Sequence, residues 1–343
     1  MRLPALAMIA ALAAPAGAWT GNTGGSTAQF LRIGAGARAL AMGEAFGPVA
    51  EGPVAIYWNP AGLAQQREPE IAYTHVEMLR YFHHDHIAYA HPVPLLRGTV
   101  GLSATFFYQD KLDLVTNANQ VVGTFRPHSE AYTLAYARGF GVGEDYIARD
   151  RHFFQDLWQH PGTMRPLDRG PDLWTGNLLL GAALKIVKET IHDRSASAIA
   201  ADGGALFRHM DLPELAFSFA FRNVGSKPKF ITQREDLPGE ADFGAAYDLV
   251  WERRRLLPAF ELAVPWYGPP FAKLGIEYSF PVADESTAAL RLGYKSLSAP
   301  ELGFLTGLTL GVGMIHKRFT FDFAFQPMGD LGEAYRFGLG YVF

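Results

Sequence analysis

Between Phe319 and Phe343 the chain alternates bulky apolar residues with small or polar ones. Phe319, Phe321, Phe323 and Phe325 are interleaved with Thr320, Asp322, Ala324 and Gln326. After the turn-forming run Pro327-Met328-Gly329-Asp330-Leu331-Gly332 the alternation resumes. Tyr335, Phe337, Leu339, Tyr341 and Phe343 then stand against Arg336, Gly338, Gly340 and Val342. A period of two means extended strand, whose two faces meet different surroundings. A soluble sandwich buries its apolar face on a second sheet. A transmembrane barrel turns that face to lipid and the polar face to a lumen.

The rest of the chain decides between them. Alternation and turn residues mark about fourteen segments: 69–80, 85–93, 98–110, 130–140, 174–190, 196–208, 213–224, 238–250, 256–266, 270–280, 286–296, 303–315, 318–326 and 333–343. Each is near the roughly nine to eleven residues that a tilted strand needs to cross a bilayer. Their polar faces carry Lys185, Arg222, Glu277, Arg291, Asp322 and Arg336. Each charge would cost up to about 2–4 kcal/mol facing mid-bilayer lipid, and little in a wet lumen. The expected fold is therefore all-β, a transmembrane antiparallel β-barrel of about fourteen strands. Parity places 111–129, 191–195, 225–237 and 267–269 outside the cell and the long 141–173 insertion in the periplasm. Within that insertion Phe153, Phe154, Leu157 and Trp158 fall at helical spacing, as expected for a short helix covering the rim.

Composition agrees with export to an envelope. Charged residues are 19% of the 343, below the roughly 25% of soluble chains. The net charge of −4 gives no basic footprint for nucleic acid. Without cysteine there are no disulfides, thiolate metal sites or cysteine nucleophiles. Arg2, the apolar Leu3 to Ala14 and the small-residue run Ala16-Gly17-Ala18 read as a signal peptide over 1–18. A segment at 19–66 is then expected to form a plug, with the barrel at 67–343.

Arg336, Gly338, Tyr341 and Phe343 resemble the terminal-strand signal of bacterial outer-membrane barrels, which implies recognition by the barrel assembly machinery. The N-terminal segment carries a second resemblance. Gly36-Ala37-Arg38-Ala39-Leu40, Met42-Gly43, Ala45-Phe46 and Tyr57-Trp58-Asn59-Pro60-Ala61-Gly62-Leu63-Ala64 resemble the signature of the PorV/PorQ family, related to FadL-type outer-membrane transporters. Glu51-Gly52 stands where that family usually has an acidic pair. The resemblance implies that Arg38, Met42, Asn59, Pro60 and Ala61 belong to a hatch and its anchor. It implies outer-membrane lipid as surroundings and one of two roles. One is passage of hydrophobic small molecules such as fatty acids. The other is a non-enzymatic scaffold that binds secreted proteins in a type IX-like secretion system.

Reactive constellations are few. His83-His84-Asp85-His86 offers metal-ligand types, but neighbours on a strand face opposite ways. Its position where the first hairpin should turn reads as a solvated loop. No serine and histidine spacing singles out a catalytic triad, and no phosphate loop or dinucleotide fingerprint is present. The reading is of a non-enzyme without metal or cofactor. Glu277 and Arg291 fall on adjacent expected strands, where they would pair across the lumen wall.

Overall fold

The computed structural model describes residues 25–78, 81–140, 177–209, 212, 214–230, 233–297 and 303–343. The expected signal peptide and the 141–173 insertion lie outside them. The first seven barrel strands are β1 (Glu70–Met78), β2 (Phe82–Val93), β3 (Gly98–Gln109), β4 (His128–Phe140), β5 (Leu178–Ile191), β6 (Arg194–Arg208) and β7 (Leu215–Gly225). The other seven are β8 (Glu240–Tyr247), β9 (Arg254–Pro265), β10 (Phe271–Ala283), β11 (Ser286–Lys295), β12 (Leu308–His316), β13 (Phe319–Pro327) and β14 (Glu333–Val342). Each pairs antiparallel with its neighbours, and the register Glu70↔Val342 to Met78↔Ala334 joins β1 to β14 and closes the ring. Closure leaves no free sheet edge, which is what lets strands cross lipid.

The alternation sorts the two faces as the sequence suggests. Phe321, Phe337, Leu339, Leu310 and Val312 are exposed on the outer wall, while Lys185, Arg222, Glu277, Arg291 and Arg336 are buried inside. Aromatic rings collect at two levels. Tyr89, Phe319, Tyr341 and Phe343 cluster at the end holding both barrel termini, called here the near end. Phe323, Phe325 and Tyr335 cluster toward the far end. Towards the far end of β1–β3 the outer wall also turns polar. There the Asp85 carboxylate accepts hydrogen bonds from Tyr73 Oη (2.6 Å) and Tyr108 Oη (3.0 Å) and pairs with His75 Nδ1 (2.8 Å). Ionic groups on an outer wall are cheapest near the bilayer interface, so this cluster marks where the wall leaves the hydrocarbon.

Two expectations need correction. His83-His84-Asp85-His86 is not a loop: it lies within β2, which begins at Phe82. Polar residues resembled a turn because this stretch points polar groups both ways, with His84 and His86 buried inward and Asp85 outward. The expected 303–315 strand also starts late, because Phe304–Gly307 forms a 3₁₀ turn before β12.

The lumen is not an open aqueous space. Residues 25–66 run through it as short helical pieces: a 3₁₀ turn (Gln29–Arg32), α1 (Ala37–Ala41), a 3₁₀ turn (Gly47–Val49), α2 (Ala55–Trp58) and a 3₁₀ stretch (Pro60–Gln65). Helix α1 packs on β11–β14, Gly47–Val49 on β7–β9, and Pro60–Gln65 on β3–β6. Contacts on nearly every side of the ring place the segment inside it. Small residues dominate the segment, which lets its backbone approach the wall closely. A Cβ on Gly293 would lie 1.8 Å from Gly43 N, and Gly43 itself has φ +62°. Only glycine meets both demands at that crossing.

Candidate functional site in the lumen

The segment enters at the far end, held by loop 226–239 and by β5. Thr27 N donates to Asp236 O (3.0 Å). Glu189 accepts from Thr27 Oγ1 (2.6 Å) and from Ala28 N (3.1 Å). Hydrogen bonds from Tyr267 and Lys227 hold the Asp236 carboxyl below its ordinary range. The segment then descends to the near end, where Phe343 N donates to Pro69 O (2.9 Å) just before β1 begins.

Three ion-pair groups fasten it. In the first, Arg38 donates from Nε to Glu277 (2.7 Å) and from Nη1 to Glu51 (2.5 Å). Arg291 joins Glu277 (2.6 Å) to Asp322 (2.6 Å). The Glu277–Arg291 pair expected from adjacent strands is therefore present, with Arg38 of the segment as a third member. Glu51 of the segment supplies the fourth. In the second group, Glu44 meets Lys295 (2.5 Å) and Arg336 (3.6 Å), and Arg336 donates to Gly34 O (2.7 Å). In the third, Lys273 reaches Asp242 (2.9 Å), Glu261 (2.7 Å) and Glu240 (3.5 Å). Arg222 shares two of those acids, and Glu261 accepts from Gly47 N (2.7 Å). Arg222 and Lys273 also lie 5.1 and 5.6 Å from the centroid of the Trp58 ring. The lumen charges thus meet charged partners, several of them on the segment. Lys185 is paired within the wall, with Asp202 (2.8 Å) and Asn223 (2.7 Å).

Asn59 anchors the lower half. Its Nδ2 donates to Ala205 O (3.1 Å), and its Oδ1 accepts from Ala61 N (3.1 Å), capping the stretch that Pro60 begins. Pro60 and Ala61 press their backbone on Gly181, and Met42 lies fully buried against Gly275 and Gly293. Replacing Asn59 with alanine removes both bonds in a buried site, so a loss of about 1–2 kcal/mol is expected. The denaturant midpoint of the folded barrel reads it, and an unmoved midpoint would contradict the anchor role.

Apolar packing fastens the segment as well: Ile56 and Leu63 share a buried cluster with Ala88, Ala135 and Leu257, and a separate cluster lies on one flank. Phe30 and Leu31 bury their side chains against Ala131, Val187, Ala198, Ala200 and Leu237, with Ile33 and Phe107 at the margin. This is an apolar seam between segment and wall, closed by van der Waals contact rather than charge. It borders a chamber of about 10 Å³ lined by Tyr57, His86, Thr105 and Lys185 among others. A larger cavity of about 320 Å³ lies toward the near end, lined by Arg38, Glu70, Arg255, Glu277 and Arg291 among others. Among the described residues no three His, Cys, Asp or Glu side chains gather as a metal site. Sequence reasoning named the charges and Phe30 as a packing residue of the segment, but missed Leu31 in the seam and His86 in the chamber beside it. Only the inward register of His86 was available as a signal.

Neither a family model nor a curated protein matches the sequence. Solved structures do. The Pseudomonas putida toluene transporter TodX aligns at TM-score 0.54 and 10% identity, covering 90% of this chain and 96% of that one. The Ralstonia pickettii toluene transporter TbuX aligns at 0.51 and 11%, covering 90% and 98%. A Pseudomonas aeruginosa FadL homologue aligns at 0.50 and 11%, covering 90% and 98%. The fold is that of the FadL-type channels. At such low identity the likeness to the FadL-type channels concerns the path of the chain.

Proposed function

We propose that this chain is a gated outer-membrane channel for hydrophobic small molecules, with residues 25–66 as its plug. The observation that carries this reading is the apolar seam at Phe30 and Leu31. Elsewhere the plug combines apolar packing on the wall with buried ion pairs, and the ion pairs are costly to break. At the seam an apolar ligand can replace one set of dispersion contacts with another. Full burial of a side chain the size of Phe is worth about 1.5–3 kcal/mol, an amount that a ring-sized ligand can match. The neighbours described as toluene transporters support the same class of cargo. In this reading the chain is a non-enzyme exported by its signal peptide and belongs with the PorV/PorQ branch of these barrels.

The test is saturable binding of the fluorescent probe N-phenyl-1-naphthylamine to the folded, detergent-purified barrel, displaced by unlabelled toluene. Phe30→Ala is expected to strengthen binding several-fold, because it leaves a ring-sized space in the seam. No saturable binding in a barrel shown to be folded would overturn the channel reading.

A second reading, a scaffold for secreted proteins, has its own observation. At the far end the hairpin Leu112–Val115 with Val121–Phe125 stands apart from the barrel sheet and exposes Leu112, Val121 and Val122. Binding of a secreted protein that is lost on Val121→Asp would favour it.

A further inference from the structure

The seam holds more than apolar surface. Six buried side-chain polar atoms among the described residues have no hydrogen-bond partner, and three of them belong to His84 and His86 on β2. His86 is 1% exposed and lines the small chamber. Its Nδ1 lies 2.9 Å from Thr105 Oγ1, while its Nε2 is unpartnered. His84 is fully buried with both ring nitrogens unpartnered. Leaving a buried polar atom unpaired costs about 1–3 kcal/mol. A chamber of about 10 Å³ is at the lower limit for a single water. An imidazole with an unpaired nitrogen at the seam's chamber, with a second imidazole two residues along the same strand face, is a costly arrangement for a wall whose only task is to seal.

We infer that His86 forms a head-group site, selecting ligands with an apolar body and one neutral hydrogen-bonding group such as a hydroxyl. The inference rests on the channel reading and refines its cargo. Phe30 shows where the apolar body goes. Its ring lies 6.4 Å from that of Phe107, which in turn stacks at 5.8 Å on Phe82. A ligand ring that takes the place of Phe30 lies on that ladder with its substituent toward the chamber. There His86 Nε2 is the open partner, with the Tyr57 ring 6.2 Å from the His86 ring. A neutral head fits better than an anion, because the cation lining the chamber, Lys185, is already neutralised by Asp202 at 2.8 Å. An incoming carboxylate would lose its water without gaining a free counter-charge.

The experiment is displacement of N-phenyl-1-naphthylamine by toluene, benzyl alcohol and benzoate. It compares the full-length barrel with its His86→Leu and His86→Gln variants, each shown folded by heat-modifiable mobility. His86→Leu is expected to weaken benzyl alcohol about tenfold and to leave toluene within about twofold. His86→Gln, which keeps a hydrogen-bonding side chain, is expected to retain most of the benzyl alcohol affinity. Benzoate is expected to displace the probe less well than benzyl alcohol. If toluene and benzyl alcohol change together in His86→Leu, the head-group site is overturned while the channel reading stands. If benzoate binds best and loses most, the site is anionic and the inference is wrong. If no compound displaces the probe, the inference and the channel reading fail together.

Discussion

Replacing Lys273 with methionine is expected to loosen the plug and to destabilise the folded barrel by about 3–5 kcal/mol. Lys273 is 1% exposed and serves three carboxylates at once. Methionine fills a similar volume but leaves Glu240, Asp242 and Glu261 with Arg222 as the near cation. Glu261 is the most affected, since its other bond is to the plug at Gly47 N. Repulsion among unbalanced buried acids then acts on the Gly47–Val49 turn and on Trp58, which loses a cation from its ring. Two measurements read the change: the denaturant midpoint of the refolded barrel and its conductance in planar bilayers. The midpoint is expected to fall and the conductance to rise. A variant with both unchanged would show that the ion group does not hold the plug.

Gly293→Val is expected to act by shape alone. The added Cβ would lie 1.8 Å from Gly43 N and 2.3 Å from the Met42 carbonyl carbon, both backbone atoms that cannot swing aside. Overpacking commonly costs about 1–3 kcal/mol, and a backbone clash belongs at or above the upper end. The barrel strand can keep its ladder if the plug withdraws, so the wall should survive and the seat should not. Protease cleavage within 25–66 and raised conductance are the expected signs. Gly123→Val, where an added Cβ meets nothing within 4 Å, serves as the matched control. Equal behaviour of the two variants would remove the close crossing from the account of the plug.

The barrel was legible because lipid imposes a rule on every second residue. Phe319, Phe321 and Phe323 declare their face one by one, and Asp322 between them declares the other. Pairing across adjacent strands was legible for the same reason: Glu277 and Arg291 sit opposite each other in the β10–β11 register. What joins the plug to the wall was not. Arg38 and Glu277 are 239 positions apart, and no local pattern links them. Gly43 and Gly293 look like ordinary glycines until the backbone of one crosses the other. His84 and His86 were misplaced because a polar inner face next to a polar outer cluster hides the period-two signal. The apolar seam was hidden in plain composition, since Ala131, Ala198 and Ala200 are wall residues whose smallness matters only beside Phe30.

The bond from Arg336 to Gly34 O spans 302 positions, nearly the whole chain. The Gly34 end of the segment therefore waits for β14. Until β14 arrives, α1 lacks one wall of its seat, Glu44 lacks one of its cations, and the ring itself is open. In the plug reading, the cylinder is expected to wrap around residues 25–66 as it closes. Contacts this remote in sequence form slowly, since the chain between them must be ordered first. If residues 25–66 are the plug proposed above, closing the ring and sealing it become one event, and no stage is both closed and leaky.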